Sequence, residues 1–149
     1  MKTNHVKVFF RLEPDEDDWP PVAAESVWAE PDTLQDTYII ANVPFFTRDA
    51  TVGDKVHVQS ADGVLWFAKL LMPSANSLIR IIVPNDEMLD GINSHLLKLG
   101  CDTEICSQFN LIAANIPPQA SLLKVQDYLQ MQCAANILDF EESILRHRY

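Results

Sequence analysis

The residues best equipped for chemistry here are four histidines, three cysteines and a dense run of acids. A structural zinc site needs Cys or His pairs at short, fixed spacing. Cys101, Cys106 and Cys133 form no CxxC, and His5, His57, His95 and His147 form neither HxH nor HxxxH, so no metal is expected. Cys101 and Cys106 fall on one predicted strand at an odd separation, which puts them on opposite faces. Cys133 shares a predicted helical stripe with leucines. All three read as buried, reduced thiols. Nucleophilic catalysis needs a Ser or Cys activated by a base that a third group orients. There is no GxSxG, and no cysteine sits in a loop opening onto a helix N-terminus. The four glycines are too scattered to cradle a phosphate. Asp15, Glu16, Asp17 and Asp18 share one solvated stretch, where nothing desolvates one carboxyl to make it a general acid. These absences predict a binding protein without cofactor rather than an enzyme.

Composition narrows the partner. The 149 residues are 48% hydrophobic, enough for a real core, and carry 11 basic against 21 acidic side chains, a net charge of −10. Such a surface repels phosphate backbones and anionic lipid, so the expected partner is a basic protein and not free nucleic acid or a membrane. No run approaches the ~20 apolar residues of a membrane span. No apolar signal segment follows the first residues, and the cysteine count is odd, which together predict a cytoplasmic protein.

The elements that must position these residues fall into two sets. Residues 1–73 read as a small antiparallel β-barrel-like part. Its strands are Val6 to Arg11, Ser26 to Glu30 with Trp28 in the core, Thr37 to Asn42, Lys55 to Ser60 and Val64 to Leu71, the last two joined by an Asp62-Gly63 hairpin turn. Pro73 to Ser77 reads as a linker. Residues 78–149 change period: a strand over Leu78 to Val83, then a helix capped by Asn85 or Asp86 and ended by Gly100. A strand pair follows at Cys101 to Ser107 and Leu111 to Ile116, then a helix opened by Pro117-Pro118 and ended by Asn136, then a strand over Ile137 to Leu145. The order β-α-β-β-α-β predicts a ferredoxin-like part, making the whole chain α+β. Arg146-His147-Arg148 reads as a solvated basic tail, with the alternative that Arg146 or His147 returns to pair with acids such as Glu141 or Glu142 across the strand.

Two stretches stand out against this frame. Tyr38 to Ala41 leads into Asn42-Val43-Pro44-Phe45-Phe46, where strand alternation would send one Phe into the core and leave the other for a second surface. Glu13 to Pro21 holds five acids and three prolines, which exclude a helix or central strand and predict an exposed loop around Trp19. His5-Val6-Lys7-Val8-Phe9-Phe10, Glu25-Ser26-Val27-Trp28-Ala29-Glu30, Asn42 to Phe46, Gly53-Asp54 and the ending Asp139 to His147 resemble the bacterial family called domain of unknown function four-two-six-five, in order along nearly the whole chain. The resemblance implies a fold and brings no activity. By elimination, the sequence predicts an acidic module that neutralises a basic bacterial toxin acting on nucleic acids or nucleotides, an immunity protein. Asp15, Glu16, Asp17, Asp18 and Trp19, with Phe45 and Phe46, are the candidate contacts. A structural or adaptor protein, or a small-molecule-binding regulator, is the alternative.

Overall fold

A computed structural model describes residues 4–147. The chain divides into two compact units, Met1–Ser74 and Ala75–Tyr149. The fold is mixed α+β, with one sheet in each unit and two α-helices in the second.

The first unit carries β1 (Val6–Arg11), β2 (Ala24–Pro31), β3 (Thr37–Ile40), β4 (Lys55–Ala61) and β5 (Val64–Met72). Each pairs antiparallel with the next, and the ring closes by β1 against β5, Val8 opposite Leu65 and Phe9 opposite Trp66. That closing pair is parallel, which departs from an all-antiparallel expectation. The reason is topological: strands that alternate in direction leave the first and fifth pointing the same way. Alternation sorts the side chains. Val8, Phe10, Val27, Ala29, Ile40, Val56 and Val58 point inward and are buried, and Phe10 stacks on Phe67 at 4.8 Å. Each of the Val, Ile and Phe side chains among them contributes about 1.5–3 kcal/mol on burial. Asp62 and Gly63 adopt φ of 54° and 79°, the two left-handed residues of a primed hairpin turn.

Trp28 is a correction. It was expected in the core, but it is 46% exposed, because Val27 and Ala29 occupy the inward positions of β2 and parity sends Trp28 out. There the Lys7 ammonium lies 5.1 Å from its ring centroid. The segment Pro73 to Ser77 is less a free linker than expected. The Ser74 amide donates to Asp54 at 2.8 Å, its hydroxyl to the Val52 carbonyl at 2.9 Å, and Ser77 already belongs to a strand.

The second unit runs β6 (Ser77–Ile82), α1 (Leu89–Lys98), β7 (Asp102–Cys106), β8 (Leu111–Ile116), α2 (Leu122–Ala134) and β9 (Asp139–Ile144). The sheet order is β7-β8-β6-β9, and every neighbouring pair is antiparallel. Ile79, Ile81, Ile112, Ala114 and Ile116 form one core with Leu89, Ile92 and Leu96 of α1 and Leu122, Val125 and Leu129 of α2. Asn85 caps a 3-10 turn that leads into α1, its side chain accepting from the Glu87 amide at 3.1 Å. Gly100 ends α1 at φ 95°, where an added Cβ would also lie 3.1 Å from Ala120. α2 begins later than Pro117-Pro118 suggests. That pair forms a turn, with the Ala120 amide on the Pro117 carbonyl at 3.0 Å, and Ser121 is the cap, accepting from the Lys124 amide at 3.2 Å. Asn136, at φ 61°, takes the left-handed position after the helix.

Arg146 and His147 are anchored through the backbone amide and the ring, respectively. The Ser77 hydroxyl, buried in β6, accepts the Arg146 amide at 2.8 Å and meets His147 Nδ1 at 2.7 Å. His147 Nε2 lies 3.0 Å from the Pro117 carbonyl. A carbonyl only accepts, so Nε2 carries a proton and donates to Pro117. His147 therefore turns to Ser77 and Pro117 instead of Glu141 or Glu142. Glu142 accepts from Gln126 at 3.0 Å, and Arg148 lies outside the described residues.

Cys101 is buried, as expected, whereas Cys106 and Cys133 are half-buried. Burial, and secondarily the charge of Asp102, pushes the Cys101 thiol up to about 12. The thiolate is the nucleophile, so iodoacetamide at pH 8 should leave Cys101 unmodified in the folded protein and label it in denaturant. Mass spectrometry of the peptides reads this directly. Labelling of Cys101 in the native state as fast as Cys106 would contradict it.

Candidate functional site

The acidic loop between β1 and β2 is ordered from within. Asp15 turns its carboxylate back on the chain: Oδ1 accepts the Asp17 amide at 2.8 Å and the Trp19 amide at 3.1 Å. The Asp15 amide bonds the Trp19 carbonyl at 2.7 Å, and Asp18 sits at φ 57°, which a short polar residue tolerates. The four acids are therefore not equivalent, as the sequence implied. Asp15 builds the loop, while Glu16, Asp17 and Asp18 project into solvent.

Trp19 is half-buried at the base of the loop, its ring edge-on to Phe46 with centroids 5.6 Å apart and planes at 72°. Phe46 in turn lies 6.4 Å from Phe45. The structure thus joins two candidates that sequence kept apart: Asp15 to Trp19 and Phe45-Phe46 form one neighbourhood. Strand alternation does not govern the two Phe residues, because β3 ends at Ile40 and they lie in the loop before β4, both half-buried.

What holds that loop was not anticipated. The Glu25 carboxylate on β2 accepts three consecutive amides: Phe45 and Phe46 at 2.8 Å each and Thr47 at 2.6 Å. Asn42 Oδ1 takes the Trp28 amide at 2.8 Å. Pro44 has no amide to place, and Glu25 satisfies the three that follow it. At the other end of the loop, fully buried Asp54 accepts the amides of Thr51 at 3.0 Å and Ser74 at 2.8 Å. The only sequence signal was that Glu25, Asn42 and Asp54 sit inside the short motifs quoted above. Their chemistry is a backbone clamp.

Among the described residues no group of three or more His, Cys, Asp or Glu side chains gathers around one point. The Ser77–His147 pair has the separation of a nucleophile and its base, but Ser77 is fully buried, its oxygen already accepts an amide, and the far ring nitrogen is engaged by Pro117. It works as a latch for the chain end. No helix is long and apolar enough to cross a membrane among the described residues.

Fold and geometry together define a small α+β protein with an exposed acidic loop packed on an aromatic base. The family described as Domain of unknown function (DUF4265) matches residues 25–140, and the chain belongs to it. No curated protein matches the sequence. A solved structure titled "Novel crystal structure of a hypothetical protein from Neisseria gonorrhoeae" is similar in fold, with a TM-score of 0.73 at 20% identity, over 99% of this chain and 100% of that one.

Proposed function

We propose that this protein is an acidic protein-binding module of the bacterial cytoplasm, with no catalytic role, that neutralises a basic partner in the manner of an immunity protein, the partner being a toxin acting on nucleic acids or nucleotides. The observation that carries this reading is the loop itself. Asp15 holds Glu16, Asp17 and Asp18 outward, beside an aromatic base formed by Trp19 and Phe46. Outward carboxylates steer a cationic surface into contact, and a packed aromatic at their foot supplies the desolvated anchor that slows release. In this reading the first unit is a small β-barrel. The second is ferredoxin-like, supported by its element order and by the spatial order β7-β8-β6-β9, in which each split β-α-β unit has a strand inserted between its two strands.

The test is capture from the native host at low salt, identification of the retained protein, and kinetics with that protein. The expected ligand is basic. Glu16→Gln, Asp17→Asn and Asp18→Asn together, with Asp15 kept because it builds the loop, should slow association roughly tenfold and flatten its salt dependence. Trp19→Ala should chiefly speed dissociation. If both variants fold and bind like the parent, the loop is not the interface. If only acidic or neutral proteins are retained, the electrostatic reading fails.

A further inference from the structure

The outer wall of the ring carries a second surface with the opposite chemistry. Side chains of β1 alternate, so Val8 and Phe10 point in and Lys7, Phe9 and Arg11 point out. Two of their outward neighbours are aromatic: Lys7 is opposite Trp28 on β2, and Phe9 is opposite Trp66 on β5. The Lys7 ammonium lies 5.1 Å from the Trp28 ring centre, and the Arg11 guanidinium 4.1 Å from that of Trp66. Phe9 leans on Trp66 with centroids 5.8 Å apart. Exposed Gln59 stands opposite Trp66 on β4.

The chain has 21 acids for 11 Lys and Arg, and the cations of this wall are held by aromatic rings. Lys7 and Arg11 make no ion pair among the described residues and lie over indole rings instead. Both side chains are exposed, as is Trp28 at 46%. Cations held over ring faces keep their N–H groups available at the edges, where a guanidinium can engage a phosphate with two parallel bonds. Lys7 and Arg11, at i and i+4 on β1, are about 13 Å apart, so they reach two phosphates that are not adjacent on an extended single strand.

We propose that the outer wall formed by Lys7, Phe9, Arg11, Trp28, Gln59 and Trp66 is a binding surface for single-stranded nucleic acid. An unpaired base takes over an indole face by stacking, the Lys7 or Arg11 side chain it displaces takes the adjoining phosphate, and Gln59 offers an amide to base edges. Every base has a stacking face, so the surface is tolerant of sequence. A duplex keeps its bases stacked internally and cannot use the rings. The net charge of −10 weakens the encounter without abolishing it, since charges more than about 8–10 Å from the contact are screened at physiological salt. An acidic peptide would satisfy the cations but leave the three-ring arrangement without a planar partner. The proposal uses a different surface from the acidic loop, so its failure leaves the protein-binding reading untouched.

The probe is a fluorescein-labelled oligothymidylate roughly 12 nucleotides long, followed by anisotropy across a salt series. The expected result is saturable binding that weakens with salt and exceeds binding to a duplex of equal length at least tenfold. Lys7→Gln with Arg11→Gln should lower the slope of log K against log salt by about 1.4, two phosphate contacts at ~0.7 each. Lys7→Arg should restore half of that. Trp28→Ala should weaken binding roughly tenfold, and Trp28→Phe should retain most of it. These side chains point away from the core, so unchanged melting curves confirm that the variants fold. No binding at low salt, equal affinity for duplex, displacement by polyglutamate at equal charge concentration, or indifference to the Lys7/Arg11 and Trp28 changes would each overturn the proposal.

Discussion

Glu25→Ala is expected to lower the melting temperature of the first unit by roughly 10–20 °C. Three consecutive amides, those of Phe45, Phe46 and Thr47, end on this one carboxylate at 2.6–2.8 Å. A hydrogen bond to a charged group contributes about 1.5–3 kcal/mol, and an amide left without a partner costs its desolvation. The neighbourhood is only half-buried, so water recovers part of the loss, and ~2–3 kcal/mol remains for the set. In a domain of this size each kcal/mol moves the midpoint by about 4–8 °C. Glu25→Gln keeps one acceptor oxygen and should fall between the two. Amide exchange should accelerate first at Phe45 to Thr47, and the Trp19–Phe46 contact should loosen with it, so the variant should also lose partner affinity. A midpoint within about 2 °C of the parent, with unchanged exchange at those amides, would show that the clamp is dispensable.

The second large effect is expected at Ser77. Its hydroxyl joins the start of β6 to Arg146 and His147, accepting the Arg146 amide and hydrogen-bonding the His147 ring, which bonds Pro117 in turn. Ser77→Ala removes both contacts inside a fully buried position and should destabilise the second unit by about 2–3 kcal/mol. His147→Ala leaves the Ser77–Arg146 contact in place and should cost about half as much. Because the two residues act as one latch, the double variant should cost about 0.5–1 kcal/mol less than the sum of the singles. Denaturant midpoints for the four proteins give that cycle. Strict additivity would mean that Ser77 and His147 stabilise the unit independently.

Both effects turn on contacts that link distant parts of the chain, and this marks the division between what is legible in the residues and what is not. Periodicity and local turn chemistry are short-range, and they placed most elements well. Alternation marked Val8 and Phe10 as one face of a strand. Asp62-Gly63 could hardly be anything but a hairpin turn. The 3.6-residue stripe Leu89, Ile92, Leu96, ended by Gly100, reads directly as a helix packed on a sheet. Family membership was legible too, because the motifs around Glu25, Asn42 and Gly53-Asp54 are local in sequence.

Tertiary structure decided what those motif residues do. A carboxylate on β2 looks like any surface acid until its partners, 20 to 22 residues further on, are brought to it. Hydrophobicity favoured burying Trp28, but strand parity is set by Val27 and Ala29, and only the register against Lys7 shows the indole facing outward beneath a cation. Asp15 and Asp18 are chemically the same residue in the same run. Backbone geometry alone makes one the organiser of the loop and leaves the other in solvent. Net charge sums over the molecule and discards position, so a composition of −10 points only to a basic partner. The folded ring gathers Lys7 and Arg11 among aromatics on one wall, because closing five strands puts β1 between β2 and β5.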